Sequence, residues 1–167
     1  MLHFDEHLSS RIRNFGAPLL PLWRFLASYG MWGFLAFGVL LLAFNIGTPL
    51  GWLSLCIPVA LTQALTLGLQ RIIGRARPSI DVAKIDMWVR TYSFPSAHSA
   101  GSMAFAVMFS SALISIPTFG IALTLFLILF AVLIGTSRIM VGVHYLGDVL
   151  AGFLFGILVT GIFLSVG

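Results

Sequence analysis

Three short clusters hold most of the residues in this chain that could do chemistry. The first is Gln70-Arg71-Ile-Ile-Gly-Arg75-Ala-Arg77-Pro78, with three guanidinium groups in seven positions. Arginine suits a phosphate, because its planar fork offers two directed hydrogen bonds and a permanent charge. The second is Phe94-Pro-Ser96-Ala97-His98-Ser99. Proline and serine at a helix start leave backbone N–H groups pointing outward, and such an N-terminus attracts anions. His98 there can give or take a proton near neutral pH. The third is Ser137-Arg138-Ile-Met-Val-Gly-Val-His144-Tyr-Leu-Gly-Asp148. His144 and Asp148 are four apart, a spacing that predicts one helix face. A carboxylate that accepts from one ring nitrogen leaves the other with a free lone pair, ready to attack.

Each cluster alone has a plainer reading: an interfacial basic anchor, a helix cap, a structural His–Asp pair. Together they supply charge neutralisation, a nucleophile and a proton donor, which are the requirements of phosphoryl transfer. No carboxylate cluster suited to magnesium accompanies them, since Asp81 and Asp86 stand apart. Neither a metal nor any other cofactor is expected.

The elements that must position these clusters are apolar helices. Of the 167 residues, 59% are hydrophobic and only 8% charged, and the mean hydropathy is +1.07. A soluble domain carries roughly 25% charged residues, so the solvent for this surface must be lipid. The net charge of +4 serves contact with lipid phosphates, because no basic, aromatic-interleaved module for nucleic acid is present. Cys56 is the only cysteine and excludes an intrachain disulfide.

The predicted fold is an all-α polytopic transmembrane bundle of about five spans, forming one domain over residues 1–167. Residues 1–20 form an N-terminal interfacial amphipathic helix and 21–167 the bundle. The spans are expected at about Phe25–Ile46, Trp52–Leu69, Ser99–Ile116, Thr118–Ser137 and Val149–Val166, the last helix beginning near His144, with Pro58 kinking the second. Phe4, Leu8, Ile12 and Phe15 recur at helical spacing in the first segment, which has no apolar run of the kind a cleavable signal needs. Gly152 and Gly156 form a GxxxG that invites close helix packing. Alternating spans gather all nine Lys and Arg residues, and all five acids, on or near one face.

At these residues the chain resembles the type 2 phosphatidic acid phosphatase superfamily, in its bacterial membrane lipid phosphatase branch. The family pattern has three parts: KxxxxxxRP, PSGH and SRxxxxxHxxxD. Here they read QRIIGRARP at 70–78, PSAH at 95–98 and SRIMVGVHYLGD at 137–148. The resemblance implies that His144 forms a phosphohistidine, that Asp148 orients it, and that His98 protonates the leaving oxygen and then activates water. It implies that Arg77, Arg138, Ser96 and the backbone amides near Ala97 hold the phosphate oxygens.

Two positions depart from the pattern. Ala97 replaces a glycine and keeps its backbone N–H. Gln70 replaces the lysine, keeping a hydrogen-bond donor without the charge; compensation by Arg71 or Arg75, as auxiliary phosphate ligands, is the favoured expectation. The chain also shows one span fewer than the six common in bacterial relatives, with the interfacial helix in place of the first.

The implied function is hydrolysis of a lipid phosphomonoester or pyrophosphate: phosphatidate, phosphatidylglycerol phosphate or a polyprenyl phosphate. The alternative is a catalytically impaired lipid-binding membrane protein of the same fold, with Gln70 as the sign of decay. Vanadate-dependent oxidation, the other chemistry of the superfamily, belongs to larger soluble relatives. The expected location is a bacterial inner membrane. Family resemblance places the site on the extracytoplasmic face, against the cytoplasmic side favoured by the basic residues. Oligomeric state is not legible.

Overall fold

A computed structural model of the chain describes residues 2–43, 52–78 and 92–166. The predicted turn around Asn45–Gly51, and the charged residues Asp81, Lys84, Asp86 and Arg90, lie outside the described residues. The described chain forms six α-helices: α1 (Leu2–Gly16), α2 (Leu20–Ala43), α3 (Trp52–Ile73), α4 (Ala97–Leu113), α5 (Gly120–Met140) and α6 (Leu146–Val166). A 3-10 turn, Ala17–Leu19, joins α1 to α2.

Among the described residues, four stretches are long and apolar enough to cross a membrane: Phe4–Leu41, Leu53–Ile73, Gly120–Met140 and Leu146–Val166. The chain is an integral membrane protein. The remaining long helix, α4, has 17 residues and needs no lipid-facing surface of its own. It packs against α2, α3, α5 and α6, and nearly all its side chains are buried. Phe105, Met108 and Phe109 of α4 meet Phe34 of α2, Leu55 of α3 and Leu127, Ala131 and Ile134 of α5. Phe105 and Phe109 stack with centroids 4.1 Å apart, and Phe34 lies 4.5 Å from Phe105. The outer surface carries Phe25, Trp32, Leu125, Leu154 and Ile162, as a bilayer permits.

Two threonines inside the bundle are satisfied locally. The Thr62 and Thr66 hydroxyls donate to the Pro58 and Thr62 carbonyls, one turn back, at 2.7 and 2.6 Å. The predicted GxxxG does bring backbones together. A Cβ added at Gly152 would stand 2.6 Å from the Ser96 carbonyl oxygen, and one at Gly156 2.5 Å from the Ala100 carbonyl oxygen. Only glycine lets α6 lie this close to α4.

Helix boundaries differ from the sequence expectation in ways that matter for the site. Helix α3 ends at Gly74, four residues before Pro78. Gly74 has φ of +66°, a left-handed conformation natural to glycine, and its N–H donates to the Gln70 carbonyl at 3.0 Å, closing the last turn. Helix α5 runs on to Met140, so Ser137 and Arg138 belong to its last turn rather than to a connection. Helix α6 begins at Leu146, so His144 sits in the preceding turn and not on one helix face with Asp148.

Helix α1 is amphipathic, with its apolar side chains turned outward. Phe4 is 73% exposed and Phe15 88%, while Ser9 is buried. Its polar face, carrying Asp5 and Ser9, packs on the start of α6.

Candidate active site

The turn after α5 and the first turn of α6 hold the third cluster. The Val143 and His144 N–H groups donate to the Arg138 carbonyl at 3.1 and 3.3 Å, folding His144 back over the end of α5. Its imidazole is buried. Nε2 meets Nη1 of Arg77 at 3.1 Å, and the same Arg77 nitrogen donates to the Val143 carbonyl at 3.1 Å. A guanidinium can only donate. Nε2 therefore accepts with its lone pair, and the ring proton belongs on Nδ1, as assigned from these partners.

Nδ1 faces Oδ2 of Asp148 at 3.5 Å. That is charge contact, longer than the usual 2.9–3.0 Å of an N–H···O bond, and Nδ1 has no hydrogen-bond partner among the described residues. Burial pushes the His144 ring down to about 4, Asp148 pulls the other way, and Arg138 and Arg77 add to the depression. The ring is neutral at physiological pH, the state a nucleophile needs.

Asp148 is wholly buried. Oδ2 also accepts the Tyr145 N–H at 2.9 Å, so Asp148 caps its own helix in the manner of a capping box. Oδ1 accepts from Arg75 Nη1 at 2.7 Å. This corrects the expectation for Arg75. Its guanidinium bridges Asp148 and Asp5, the latter at 2.8 Å, and is committed to those two carboxylates. Arg71 is exposed on α3.

The second cluster starts α4. Ser96 is the N-cap: its Oγ accepts the Ser99 N–H at 3.4 Å and the Ser99 hydroxyl at 3.0 Å. The Ser96 N–H donates to the Asp148 carbonyl at 2.9 Å, tying the second cluster to the third. The N–H groups of Ala97 and His98, first and second in the helix, have no partner one turn earlier. Arg138, His144 and Arg77 are all close enough to His98 to act on it electrostatically.

Arg138 is 2% exposed and donates from Nη1 to the Ala27 carbonyl of α2 at 2.7 Å. Its neighbour in charge is Arg77. Burial lowers the pKa of Arg77, against the pull of Asp148. Two arginines held together beside two histidines form a site that an anion would relieve.

Gln70 makes a backbone contact with the second cluster. It is fully buried, and its Nε2 donates to the Pro95 carbonyl at 2.7 Å. The side chain steadies the loop leading into α4, while its Oε1 has no partner among the described residues.

Thus the structure brings His144, Asp148, Arg77, Arg138 and His98 together at the start of α4, with Ser96 and Ala97 in the same turn. Arg71 stays apart on the exposed side of α3, Arg75 holds Asp148, and Gln70 holds the loop before α4. Sequence reasoning missed Asp5 and Ser9, which reach the Gly147 and Leu146 N–H groups of α6 at 3.0 and 2.8 Å. Their spacing of four along an amphipathic helix was legible, but a polar stripe ordinarily faces water.

A helical membrane bundle with a buried His–Asp pair between arginines defines a class of anion-handling membrane proteins. The chain belongs to the PAP2 superfamily, the type 2 phosphatidic acid phosphatases, which residues 51–167 match. It is 37% identical over 95 residues to a lipid A 1-phosphatase of Rhizobium johnstonii and 36% identical over 95 residues to one of Rhizobium etli. These alignments take in 53% of this chain and 36% and 38% of the relatives, so the chain spans little more than a third of their length. The crystal structure of Aquifex aeolicus LpxE superposes with a TM-score of 0.66 at 25% identity, over 95% of this chain and 93% of that one. The PAP2-type phosphatidylglycerolphosphate phosphatase of Bacillus subtilis gives 0.58 at 23% identity, over 99% of this chain and 77% of that one, a likeness of fold.

Proposed function

We propose that the chain is a membrane lipid phosphatase that works through a phosphohistidine. The observation that carries this is the polarised His144 ring: Nε2 faces Arg77 at 3.1 Å and Nδ1 faces Asp148 at 3.5 Å. Nε2 attacks the phosphorus of the lipid phosphate. An N–P bond forms, the P–O bond to the lipid breaks, and His98 delivers its proton to the leaving oxygen. Water then attacks the phosphohistidine, His98 takes the water's proton, and the N–P bond breaks to release phosphate. Arg77 and Arg138, with the first N–H groups of α4 at Ala97 and His98 and the Ser96 hydroxyl, stabilise the charge on the phosphate oxygens. The cation that His144 becomes draws the Asp148 carboxylate in from 3.5 Å, as catalytic hydrogen bonds tighten in the reacting complex.

The substrate class is a phosphate or pyrophosphate on a lipid, because the site lies at the ends of membrane helices, where a headgroup sits while its tail stays in the bilayer. The named relatives favour the 1-phosphate of lipid A or phosphatidylglycerol phosphate as first candidates, beside phosphatidate and polyprenyl phosphates. The proposed location is a bacterial inner membrane with the site on the extracytoplasmic face. The reaction requires no metal in this proposal, since arginines and helix amides neutralise the phosphate.

The test is phosphate release by the purified chain in detergent micelles from each of these lipids. Turnover of at least one, lost in His144→Ala, is expected. Binding of the lipids without turnover of any would favour the impaired, lipid-binding alternative.

A further inference from the structure

Asp148 is gripped by a second cation that no motif residue supplies. Arg75 donates from Nη1 to Asp148 Oδ1 at 2.7 Å and from Nη2 to Asp5 Oδ2 at 2.8 Å. Its guanidinium carbon lies 4.4 Å from the centre of the Tyr145 ring, within range of a cation–π contact. The groups are sheltered: the Arg75 and Asp5 side chains are less than a fifth exposed and Asp148 not at all. Helix α1 also supplies caps. The opening N–H groups of a helix lack partners within it, and Tyr145, which precedes Leu146, has no short side-chain acceptor to meet them. Ser9 Oγ and Asp5 Oδ1 meet those of Leu146 and Gly147 instead.

We propose that Asp5 and Arg75 are positioning residues for the phosphohistidine reaction, a chain of contacts Asp5–Arg75–Asp148 by which the N-terminal helix fixes where Asp148 stands and how much of its charge reaches His144. This rests on the reading of His144 and Asp148 above. The three linked groups carry one net negative charge. Neutralising Asp5 leaves Arg75 wholly to Asp148 and quiets that carboxylate toward His144. Removing Arg75 does the reverse, exposing His144 to an uncompensated carboxylate that has lost an anchor. The other charged and titratable groups acting on His144 are Arg138 of α5 and Arg77 after α3, with His98 of α4 beside them. All three are unchanged in the variants below.

The experiment uses the full chain in detergent with Asp5→Asn, Asp5→Glu and Arg75→Gln. Two readouts are taken. One is kcat and KM on the lipid phosphate that the unaltered chain hydrolyses. The other is the titration of the His144 ring by ¹⁵N NMR, assigned with His144→Gln. Asp5→Asn keeps an oxygen to cap Gly147 and removes the charge together with the acceptor that faces Arg75. It should lower kcat about tenfold with KM within about twofold, the scale of a small misplacement of a reacting group. Asp5→Glu should recover most of that loss. Arg75→Gln should also lower kcat, and should raise the His144 titration by about one pH unit, whereas Asp5→Asn should not raise it. Mere loosening of α1 would wet the site in both variants and raise both titrations together. An unmoved titration in Arg75→Gln, or an equal rise in Asp5→Asn, overturns the proposal whatever the activities. If the unaltered chain hydrolyses no lipid in the panel, the phosphatase reading fails, and the two titrations still decide the chain of contacts.

Discussion

Arg77 donates to Nε2 of His144, the nitrogen that attacks in the proposed mechanism, at 3.1 Å. One guanidinium thereby fixes the imidazole tautomer and, in the proposed mechanism, also binds a phosphate oxygen. A lysine could meet both the Val143 carbonyl and the ring from its one nitrogen, as Nη1 does here, but it lacks the further N–H groups of the planar fork with which an arginine grips a phosphate. Arg77→Lys should therefore be costly although the charge is kept, about 10²-fold in kcat/KM, by analogy with removing one oxyanion donor. Comparison with Arg77→Ala checks it: the lysine variant should fall nearer to alanine than to wild type.

His144→Ala should lower kcat by about 10⁴-fold or more while the protein still folds, because no other side chain can form the covalent intermediate. Asp148→Asn should be nearly as severe, since an amide in its place favours the wrong ring tautomer. Phosphate release measured beside a thermal unfolding curve in detergent separates the two effects. Robust turnover by the alanine variant would end the assignment.

The pH dependence follows from the sign of the shift. Burial pushes His144 down to about 4, so its neutral, attacking form persists well below the usual imidazole range. At pH 5.5 a ring titrating at 6.5 would be about nine-tenths protonated, whereas one near 4 stays almost wholly neutral. The ¹⁵N signals of His144 should thus remain those of a neutral ring at pH 5.5, and in the proposed mechanism protonation of the nucleophile costs no activity at that pH. A His144 titration near 6.5 would contradict the burial described.

The long, strongly apolar helices and the three motifs were legible because each has a local cause: a charge-free run, a GxxxG, a spacing of fixed length. Helix ends were less so. The second span was expected to end near Leu69, yet α3 runs on to Ile73, where Gly74 closes it by taking positive φ. The spacing of His144 and Asp148 suggested one helix face, but they meet across a turn and the start of α6. Least legible was the role of α1. Asp5 pairs with Arg75 across seventy residues and Ser9 caps Leu146 across 137, and nothing local marks a polar stripe that turns inward while phenylalanines face out.

The contact of α6 with α4 makes a sharp prediction about small residues. A methyl group at Gly152 would press on the Ser96 carbonyl and one at Gly156 on the Ala100 carbonyl, both backbone and neither able to rotate away. Gly152→Ala should lower thermal stability and also activity, because Ser96 caps the helix that carries His98. Gly161→Ala, with nothing within 4 Å of its added methyl, should leave both near wild type. Equal behaviour of the two variants would show that the close packing is not needed.

Gln70 decides whether the departure from the family lysine is a loss or an adaptation. Arg71 is exposed and Arg75 is held by two carboxylates, so neither stands ready to replace the missing cation. Gln70 itself bonds the Pro95 carbonyl while its Oε1 lacks a partner among the described residues. Gln70→Leu would leave that carbonyl unpaired and should destabilise the fold by about 1–3 kcal/mol. Gln70→Lys keeps a donor for Pro95 and adds a charge. The free protein should be less stable, since an unpaired buried cation is costly, and a bound phosphate should offset the cost. Lysine should then raise kcat/KM about tenfold on a lipid phosphate, because a charge-assisted hydrogen bond is roughly twice as strong as a neutral one. Arg71→Ala should stay close to wild type. The measurements are kcat/KM for the three variants and their thermal unfolding with and without inorganic phosphate. A harmful lysine combined with a severe Arg71→Ala would mean that the neighbouring arginine swings in after all and that Gln70 is the residue that makes room for it.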